Sequence, residues 1–481
     1  IYGDIRDAQD KWYVRCAEAQ RSIEDLQKKY NFKKWAGKAD KGVTFTLDDG
    51  GTVTLTKEQI LSVYATAKRE RTGGNNTTHV FDGGIVVDDE LRRGLKDKIS
   101  TALAQRSEKG KKAFSDAFSE QIRSEARHLT VNDLARITAA LTDEQKAYAD
   151  SVVGLLSTTV GGWGNETSME MYGFKKFTED YYFPVMSDKS YLYTRFGISD
   201  DTRLKHAGFT NKVVRGANNP IIITGFTNVA AGHINQMALY SSFTVPIENM
   251  TKLYNYEMSP AEDADGHTVR GMSVKKALTN AYGKAANEYI ADFMRALNGG
   301  IKADSVEDFL DWGTSKFKRA AVMANLSVIV QQPSAIARAT ALINPKYLVG
   351  IPNEKTVAEM YKYSAVAGIK KLGGFDTGTG MSVTQWISNS EQSFSEKASD
   401  LLGKGAEKAD EVTWANIWAA VKRELNARIR SGKSELKPGS EEYYRAVADR
   451  FRDIIDYTQV YDSVLSKSQL MRSKSGLARM M

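Results

Sequence analysis

The sequence feature that most limits the possible folds is a long segment without acidic residues. Residues 312–353 contain no Asp or Glu, and the centre of this segment, residues 320–343, is mainly apolar. All of its charged side chains are basic: Lys316, Lys318, Arg319, Arg338 and Lys346. Such a segment is either the buried centre of a large helical domain or a surface that meets an anionic or lipid partner.

Pro333 divides this segment, because proline removes a backbone donor and ends or kinks a helix. In a bilayer the segment would form a helical hairpin or a kinked helix, with Arg319 and Arg338 near the headgroups. In a protein core, two Ala-rich helices would meet at Pro333, and Val328→Asp would unfold the domain by burying an unpaired charge. The sequence favours the core. The candidate residues for membrane or partner contact are Arg319, Val328, Pro333 and Arg338.

The composition favours helices, since only 8 prolines occur in 481 residues and long stretches are rich in helix-forming residues. We predict a mainly α-helical, elongated, multi-helix chain that begins with one helix over residues 4–35. A small N-terminal β-hairpin is predicted at residues 43–56, where β-branched residues alternate on both sides of Asp-Asp-Gly-Gly. A second short β element is predicted near residues 210–230, and residues 72–89 are predicted to be a loop or a short hairpin.

Two capping-box patterns mark helix starts, because a threonine is followed three residues later by a glutamine. They are Thr56 with Gln59 and Thr142 with Gln145. The chain is predicted to have four regions: an N-terminal helix with the hairpin and a second helix (1–88), a helical region with an aromatic-rich segment (89–197), a mixed β or extended arm with a helix (198–270), and a C-terminal helical domain (271–481). The aromatic-rich segment is predicted to pack in a core or between domains; its aromatic residues are Trp163, Tyr172, Phe174, Phe177, Tyr181, Tyr182 and Phe183.

Cys16 is the only cysteine, which excludes a disulfide framework and suits synthesis in a reducing cytoplasm. The sequence begins without Met and ends in a stretch that still has a helical pattern. We therefore expect it to be a segment of a longer polypeptide. No window of about 18 residues is apolar throughout, so a stable membrane-spanning helix is not predicted.

The motifs that mark common enzyme classes are missing from the sequence. There is no P-loop, no dinucleotide-binding glycine fingerprint and no nucleophile elbow. Glu166 and Glu170 lie four residues apart on a predicted helix, where paired carboxylates could act in acid–base chemistry. The more ordinary interpretation is that they are surface charges facing Lys175 and Lys176. No cofactor is predicted.

Asp263, Asp265 and His267 resemble the opening of a cation-binding loop. The later ligands of an EF-hand do not follow, because Val269 and Arg270 stand in their place. An exposed acidic turn is therefore the alternative to a metal site.

The net charge is +7, and residues 467–481 carry only basic charged side chains, which are Lys467, Arg472, Lys474 and Arg479. These side chains could contact a DNA backbone without sequence preference, or form a solvated helical face. Helical spacing predicts that the aromatic residues of the C-terminal helices lie in the core; these are Tyr443, Tyr444, Phe451, Tyr457 and Tyr461.

Three parts of the sequence together resemble internal segments of the large polyvalent proteins of tailed phages and prophages. The first part is LTKEQILSVYATAKRE with HVFDGGI (55–70 and 79–85), and the second is LTDEQKAYADSVVGLLSTTVGGWGNETSMEMYGFKKFTEDYYFPV (141–185). The third is FKRAAVMANLSVIVQQPSAIARA (317–339) with the C-terminal residues 460–481. The resemblance implies synthesis in a bacterial host cytoplasm, followed by packaging in the virion and delivery with the genome.

No catalytic residue of that family can be assigned to this sequence, because its nuclease, ATPase and methylase motifs are absent. The implied partners are the flanking domains of a parent polypeptide and possible contacts with other virion proteins, the DNA backbone or an anionic membrane. Three hypotheses stay open. The chain is a non-enzymatic structural or ejected virion segment, a non-specific DNA-associating segment, or an enzyme of unrecognised type, such as a hydrolase using Glu166 or Glu170 or an effector acting on a host protein.

Overall fold

The computed structural model describes residues 2–37, 40–72, 79–91, 118–186, 219–257, 261–262, 268–269, 271–297, 338–350, 352–371, 381–389 and 394–458. The chain divides into two compact units. The first unit comprises Ile1–Glu307, Thr377–Ser390 and Arg472–Ser475, and the second comprises Asp308–Asp376, Glu391–Met471 and Gly476–Met481.

The described residues are mainly helical, as the sequence predicts. In the first unit the helices are α1 (Tyr2–Lys29), α2 (Phe32–Trp35), α3 (Lys57–Thr72), α4 (Val131–Ala139), α5 (Asp143–Leu155), α6 (Gly161–Tyr172), α7 (Phe226–Asn255), α8 (Val274–Tyr282) and α9 (Lys284–Leu297). The second unit contributes α10 (Glu354–Tyr363) and α11 (Ala365–Lys371), the first unit α12 (Met381–Ser388), and the second unit α13 (Phe394–Arg430) and α14 (Glu441–Thr458). One π-helical turn (Leu156–Val160) joins α5 to α6, and short 3₁₀ turns occupy His79–Phe81 and Pro345–Tyr347.

Three two-stranded sheets accompany these helices in the described residues. Strands β1 (Val43–Thr46) and β2 (Thr52–Leu55) form the predicted N-terminal hairpin. Strands β3 (Ile85–Val87) and β4 (Ile221–Ile223) pair in parallel, and β5 (Ala261–Glu262) pairs with β6 (Thr268–Val269) in an antiparallel manner. The predicted mainly helical fold, with an N-terminal hairpin and a second short β element, is confirmed, and β4 lies in the predicted 210–230 region.

Both predicted capping boxes are present. Thr56 N donates to Gln59 Oε1 at 2.8 Å, and Gln59 N donates to Thr56 Oγ1 at 3.3 Å. The same reciprocal pair joins Thr142 and Gln145 at the start of α5. These bonds satisfy donors that an α-helix leaves unpaired in its first turn, so both helices begin where the sequence predicts.

The prediction of one helix over residues 4–35 was wrong at its C-terminal end. Asn31 adopts a left-handed backbone conformation (φ 49°), which ends α1 and redirects the chain into α2. Asparagine tolerates this conformation better than most residues, because its short polar side chain can bond locally. The turn brings Phe32 and Trp35 against Tyr148 of α5.

The pairing of β3 was not predicted. Residues 72–89 were expected to form a loop or a short hairpin, but Ile85–Val87 lies beside Ile221–Ile223, with Val86 opposite Ile222. All six strand residues are buried. Strands buried on both faces are apolar throughout rather than alternating, and a parallel partner has to come from a distant part of the chain.

The centre of the first unit is the packing of α1 along α7, with α12 beside both helices. Apolar residues at helical spacing on α1, among them Ile5, Trp12 and Ile23, are fully or almost fully buried. A buried polar contact sets the register, because Trp12 Nε1 donates to Asn235 Oδ1 of α7 at 3.0 Å. Gln27 Nε2 of α1 likewise donates to the Ser388 carbonyl of α12 at 2.9 Å.

The second unit has its own core, built between α13 and α14 with α10 and α11 packed against them. Its most buried large side chains include Trp414, Trp418 and Phe451. Ala339 and Ile343, at the end of the carboxylate-free segment, belong to this core, while Arg338 is exposed. This end of the segment is therefore part of a protein core, and residues 320–337 lie outside the described residues.

The aromatic residues of α14 divide between core and surface. Tyr443 and Phe451 are buried, as expected, and the half-buried Tyr444 ring stacks on Tyr363 at 3.9 Å between centroids. Tyr457 is 82% exposed, so its predicted core position was wrong. Tyr461 lies outside the described residues.

Candidate functional site

The two carboxylates predicted as catalytic candidates lie on α6 and face α1. Glu166 Oε2 accepts a hydrogen bond from Arg15 Nη2 at 2.5 Å. The Glu166 side chain is 64% exposed, whereas Arg15 is 8% exposed. Glu170 is exposed one turn further along, and both carboxylates act on Lys11, whose pKa is lowered by burial and by Arg15 and raised by these two acids. The pair is thus the acidic side of an ionic contact between two helices.

Arg15 is the buried side of that contact. Its guanidinium carbon lies 5.4 Å from the centroid of the Trp163 ring, and burial lowers its pKa while Glu166 opposes that shift. Lys176 was expected to face Glu166, but its ammonium lies over the Tyr172 ring, 3.4 Å from the centroid. The described contact of Lys176 is therefore a cation–π contact with Tyr172 on the same helix as the two carboxylates.

A third carboxylate, Glu58, was missed by the sequence analysis. It lies in the first turn of α3 and accepts hydrogen bonds from Thr227 N and Thr227 Oγ1, both at 2.8 Å. Glu58 therefore caps the start of α7. Burial raises the pKa of Glu58 to about 7, with a further contribution from Asp40, while the two Thr227 hydrogen bonds act in the opposite direction.

The hydrogen-bond chain continues from Thr227 to Tyr148, whose hydroxyl lies 2.9 Å from Thr227 Oγ1. Tyr148 is fully buried, and burial raises its pKa. Four aromatic rings pack around it with centroid distances of 5.2 to 6.2 Å; they belong to Tyr30, Phe32, Trp35 and Phe226. The hydrogen-bonded side chains of Glu58, Thr227 and Tyr148 therefore connect α3, α7 and α5 inside the first unit.

We predict that Glu58 makes the stability of the first unit depend on pH. Its folded-state pKa lies near 7 and its ordinary value is 4.5, so the folded state holds a proton that the unfolded state loses between these values. This proton uptake stabilises the folded state fully below about pH 4.5, and the contribution is lost as pH rises through about 7. The free energy of unfolding should fall by roughly 3 kcal/mol at most over this range. Denaturant unfolding of Glu58→Gln should lack this fall in unfolding free energy.

The exposed Glu120 provides a matched control, since Glu120→Gln also removes one titratable carboxyl. This variant should keep the pH dependence of the wild-type chain. Equal slopes of unfolding free energy against pH in the wild type and in Glu58→Gln would refute the assignment to Glu58.

A second polar cluster surrounds Asp150 of α5. Its carboxylate accepts from Lys68 Nζ at 2.7 Å, from Tyr181 OH at 2.9 Å and from Tyr64 OH at 3.3 Å. The Lys68 ammonium lies 5.0 Å from the Tyr181 ring centroid and 5.5 Å from that of Tyr64. Burial, followed by the Asp150 contact, raises the pKa of Tyr181, so the phenol stays protonated. The cluster joins α3 and α5 to the aromatic-rich segment.

Further side-chain bonds hold the extended chain that follows α6. Asn165 makes two bonds to one residue: its Oδ1 accepts from Phe177 N at 2.9 Å and its Nδ2 donates to Phe177 O at 2.7 Å. Ser157, within the π-helical turn, accepts from Tyr182 N at 2.9 Å. The aromatic-rich segment is therefore fixed through its backbone as well as through its rings.

Most of the other predicted site residues lie outside the described residues. These are the metal candidates Asp263, Asp265 and His267, the contact candidates Arg319, Val328 and Pro333, and the nucleic-acid candidates Lys467, Arg472, Lys474 and Arg479. Within the described ranges, no group of three or more His, Cys, Asp or Glu side chains is placed to hold a metal ion. Among the helices of those same ranges, none combines the length and the apolar character needed to cross a bilayer.

The described residues do include a basic cluster, at the turn between α13 and α14. We call it the basic tip; it consists of the exposed residues Arg428, Arg430, Lys433 and Lys437. Glu435 is the one acid in the sequence between Arg428 and Lys437. Four cations within ten residues, with one acid among them and two exposed acids, Glu441 and Glu442, at the start of α14, give this connection a local excess of positive charge that can attract phosphate groups.

Backbone bonds give the basic tip a defined shape. Lys433 N donates to Arg428 O at 2.9 Å and Gly432 N donates to Ile429 O at 3.0 Å, which is a Schellman motif with Gly432 in the left-handed region (φ 70°). Ser440 then caps α14, since Tyr443 N donates to Ser440 Oγ at 3.2 Å. The cations therefore project from a structured turn between two helices.

No protein-family model, curated protein or solved structure matches this chain. The resemblance of its three parts to large polyvalent proteins of phages therefore stays a prediction.

Proposed function

We propose that this chain is a non-enzymatic structural segment of a phage large polyvalent protein, packaged in the virion and delivered with the genome. The observation that supports the proposal is the use of polar side chains in residues 141–185, the longest part of the resemblance. There, several carboxylate and amide side chains bind other groups of the same chain. Gln145 caps a helix, Asp150 binds two tyrosines and a lysine, Asn165 binds the Phe177 backbone, and Glu166 pairs with Arg15.

These contacts argue for a scaffold in two ways. The polar residues connect elements that are distant in sequence, as Arg15 and Glu166 do, so they stabilise the arrangement of helices. A catalytic carboxylate needs access to substrate and a pKa matched to its task. Glu58 has a pKa near neutrality, but its two oxygens are occupied by the first turn of α7.

The proposal is tested by mass spectrometry of purified phage particles released by the strain that encodes the chain. Peptides from both units should co-purify with the capsid, resist added protease in intact particles and become cleavable after the genome is ejected in vitro. Absence of these peptides from purified particles, or their digestion in intact particles, would contradict packaging.

DNA association is a second candidate function, favoured by the basic tip. We predict that the chain binds duplex DNA without sequence preference and that the logarithm of the affinity falls linearly with the logarithm of salt concentration. Each phosphate neutralised contributes about 0.9 to that slope, so Arg430→Ala/Lys433→Ala should reduce its magnitude by about 2. Fluorescence anisotropy of a labelled duplex between about 50 and 200 mM salt measures this slope.

Lys33→Ala/Lys34→Ala is the matched control, because it removes two exposed cations from α2, far from the basic tip in sequence. This variant has the same net charge as the test variant and should keep the wild-type slope. Equal loss in both variants would mean that binding follows net charge alone. If the wild type does not bind duplex DNA at low salt, DNA association is contradicted.

A further inference from the structure

The first unit carries an apolar groove between the end of α7 and helix α8. The groove has a volume of about 430 Å³. Its walls include Leu253 and Tyr256 on one side and Tyr282 on the other, and these side chains are 47%, 60% and 75% exposed. Large apolar side chains gathered on an exposed surface usually mark a contact site, whereas scattered ones need no explanation.

Helix α8 supplies the floor of the groove with a complete apolar stripe. Val274, Ala277, Leu278, Ala281 and Tyr282 follow the spacing of one helix face, and none of them is fully buried. A short helix in water is stabilised mainly by packing of its apolar face. Helix α8 is thus amphipathic in sequence, and its apolar face is at least partly exposed to solvent in the structure.

The position of α8 is fixed by polar contacts on its other side. Tyr254 OH of α7 donates to Asn287 Oδ1 of α9 at 2.8 Å, and Asn287 Nδ2 donates to Thr279 Oγ1 of α8. Ser273 caps the start of α8, since Lys276 N donates to Ser273 Oγ at 3.2 Å. The apolar stripe is therefore presented by an anchored helix.

The charges around the groove indicate what it binds. Residues 271–287 contain three lysines and no acidic residue, and Glu257 and Glu288 lie on either side of this stretch. Lys275, Lys276 and Lys284 are exposed, as is Lys252 at the end of α7. A basic amphipathic helix with tyrosines at the edge of its apolar face matches an anionic membrane surface, where lysines meet phosphate headgroups and apolar side chains enter the acyl boundary.

We propose that the groove and the apolar face of α8 form a peripheral binding site for anionic phospholipid bilayers. The site uses Leu253 and Tyr282 as inserted apolar groups and Lys275 and Lys276 as headgroup contacts. This inference goes beyond the proposed function and does not rest on it, since it is drawn from the described groove alone.

Flotation of the whole chain with vesicles tests the site. Vesicles of phosphatidylcholine with phosphatidylserine should carry the wild type upward at moderate salt, and vesicles of phosphatidylcholine alone should carry much less. Leu253→Ser/Tyr282→Ser should reduce the partition coefficient by about 10-fold or more, because it removes apolar groups that enter the bilayer. Lys275→Ala/Lys276→Ala should reduce it by about 10-fold or more on the anionic vesicles only.

Two control variants match these changes. Val131→Ser/Tyr457→Ser removes two apolar side chains elsewhere that are at least as exposed, and Lys33→Ala/Lys34→Ala removes two cations elsewhere. Both controls should float like the wild type. Hydrogen exchange on vesicles should also slow at residues 271–289, which is a readout independent of substitution.

Several outcomes would overturn the proposal. One is a wild-type chain that fails to float with anionic vesicles, and another is equal flotation of Leu253→Ser/Tyr282→Ser. If Lys275→Ala/Lys276→Ala loses flotation and Leu253→Ser/Tyr282→Ser does not, the chain binds the vesicles by electrostatic attraction without apolar insertion. Saturable binding of an acidic amphipathic peptide at the groove, without vesicle binding, would assign the surface to a protein partner.

Discussion

Replacing Gly83 with alanine is expected to destabilise the first unit by about 3 kcal/mol or more. A Cβ atom at position 83 would overlap the Asn219 carbonyl group and lie 2.8 Å from Pro220 N. These are backbone atoms, so no side chain can rotate away to make room. The strand pairs of β3 and β4 begin two residues further on, and Ile221 N donates to Gly84 O at 3.0 Å. The substitution should therefore separate the two strands.

Gly154→Ala is the control for Gly83→Ala, since the same methyl group added in α5 meets nothing within 4 Å. Alanine in a helix interior is more favourable than glycine by up to about 1 kcal/mol, so this variant should be slightly more stable than the wild type. Urea unfolding followed by circular dichroism gives both free energies. Similar stability of Gly83→Ala and the wild type would show that β3 and β4 are not packed as described.

Replacing Trp418 with alanine is expected to destabilise the second unit by about 3 to 5 kcal/mol. Trp418 is completely buried on α13, and its ring centroid lies 5.3 Å from that of Phe451 on α14. Its Nε1 also donates to Glu359 Oε1 of α10 at 2.9 Å. The substitution therefore leaves a large cavity and removes one of the hydrogen bonds to a half-buried carboxylate.

Hydrogen exchange measured for individual peptides can show which helices lose stability in Trp418→Ala. Protection should fall in α13 and α14 after Trp418→Ala, while Val412→Ala, which truncates an exposed side chain on the same helix, should change it little. Trp418→Phe should recover much of the packing but not the bond to Glu359. Unchanged protection in Trp418→Ala would contradict the central position of this side chain.

Local patterns predicted much of the fold, because their causes lie within a few residues. The hairpin of β1 and β2 follows from alternating residues around Asp-Asp-Gly-Gly, and the starts of α3 and α5 follow from their capping boxes. The capping box at Thr130 and Asp133 is equally local and was overlooked. The predicted helical character of both units has the same origin, a helix-rich composition with few prolines.

Distant contacts could not be predicted from one sequence. Glu58 caps α7 across 169 residues, and in sequence it has the ordinary pattern of an acid in the first turn of a helix. The partner of Glu166 is Arg15, which precedes it by 151 residues, whereas the nearby lysines suggested a local pairing. The strand β3 has three apolar residues in a row, a pattern that is too short to identify its partner.

The apolar groove corresponds to a residue pattern that can be recognised in the sequence. The spacing of Val274, Ala277, Leu278, Ala281 and Tyr282 defines one helix face, and the lysines beside it are visible by inspection. Whether such a face is covered depends on the neighbouring elements. Only the structure gives the exposure of Tyr282 and Leu253.

The π-helical turn at Leu156–Val160 has a consequence for comparing this chain with its evolutionary relatives. A π turn holds one residue more than the α-helical turn it replaces, and such turns are frequently found at functional sites. Here the turn lies between α5 and α6 and includes Ser157, which binds the Tyr182 backbone. Homologous sequences can therefore differ by a single-residue gap at this position while keeping the helical register of α5 and α6. An alignment that places the gap elsewhere would shift Asn165 and Glu166 out of register.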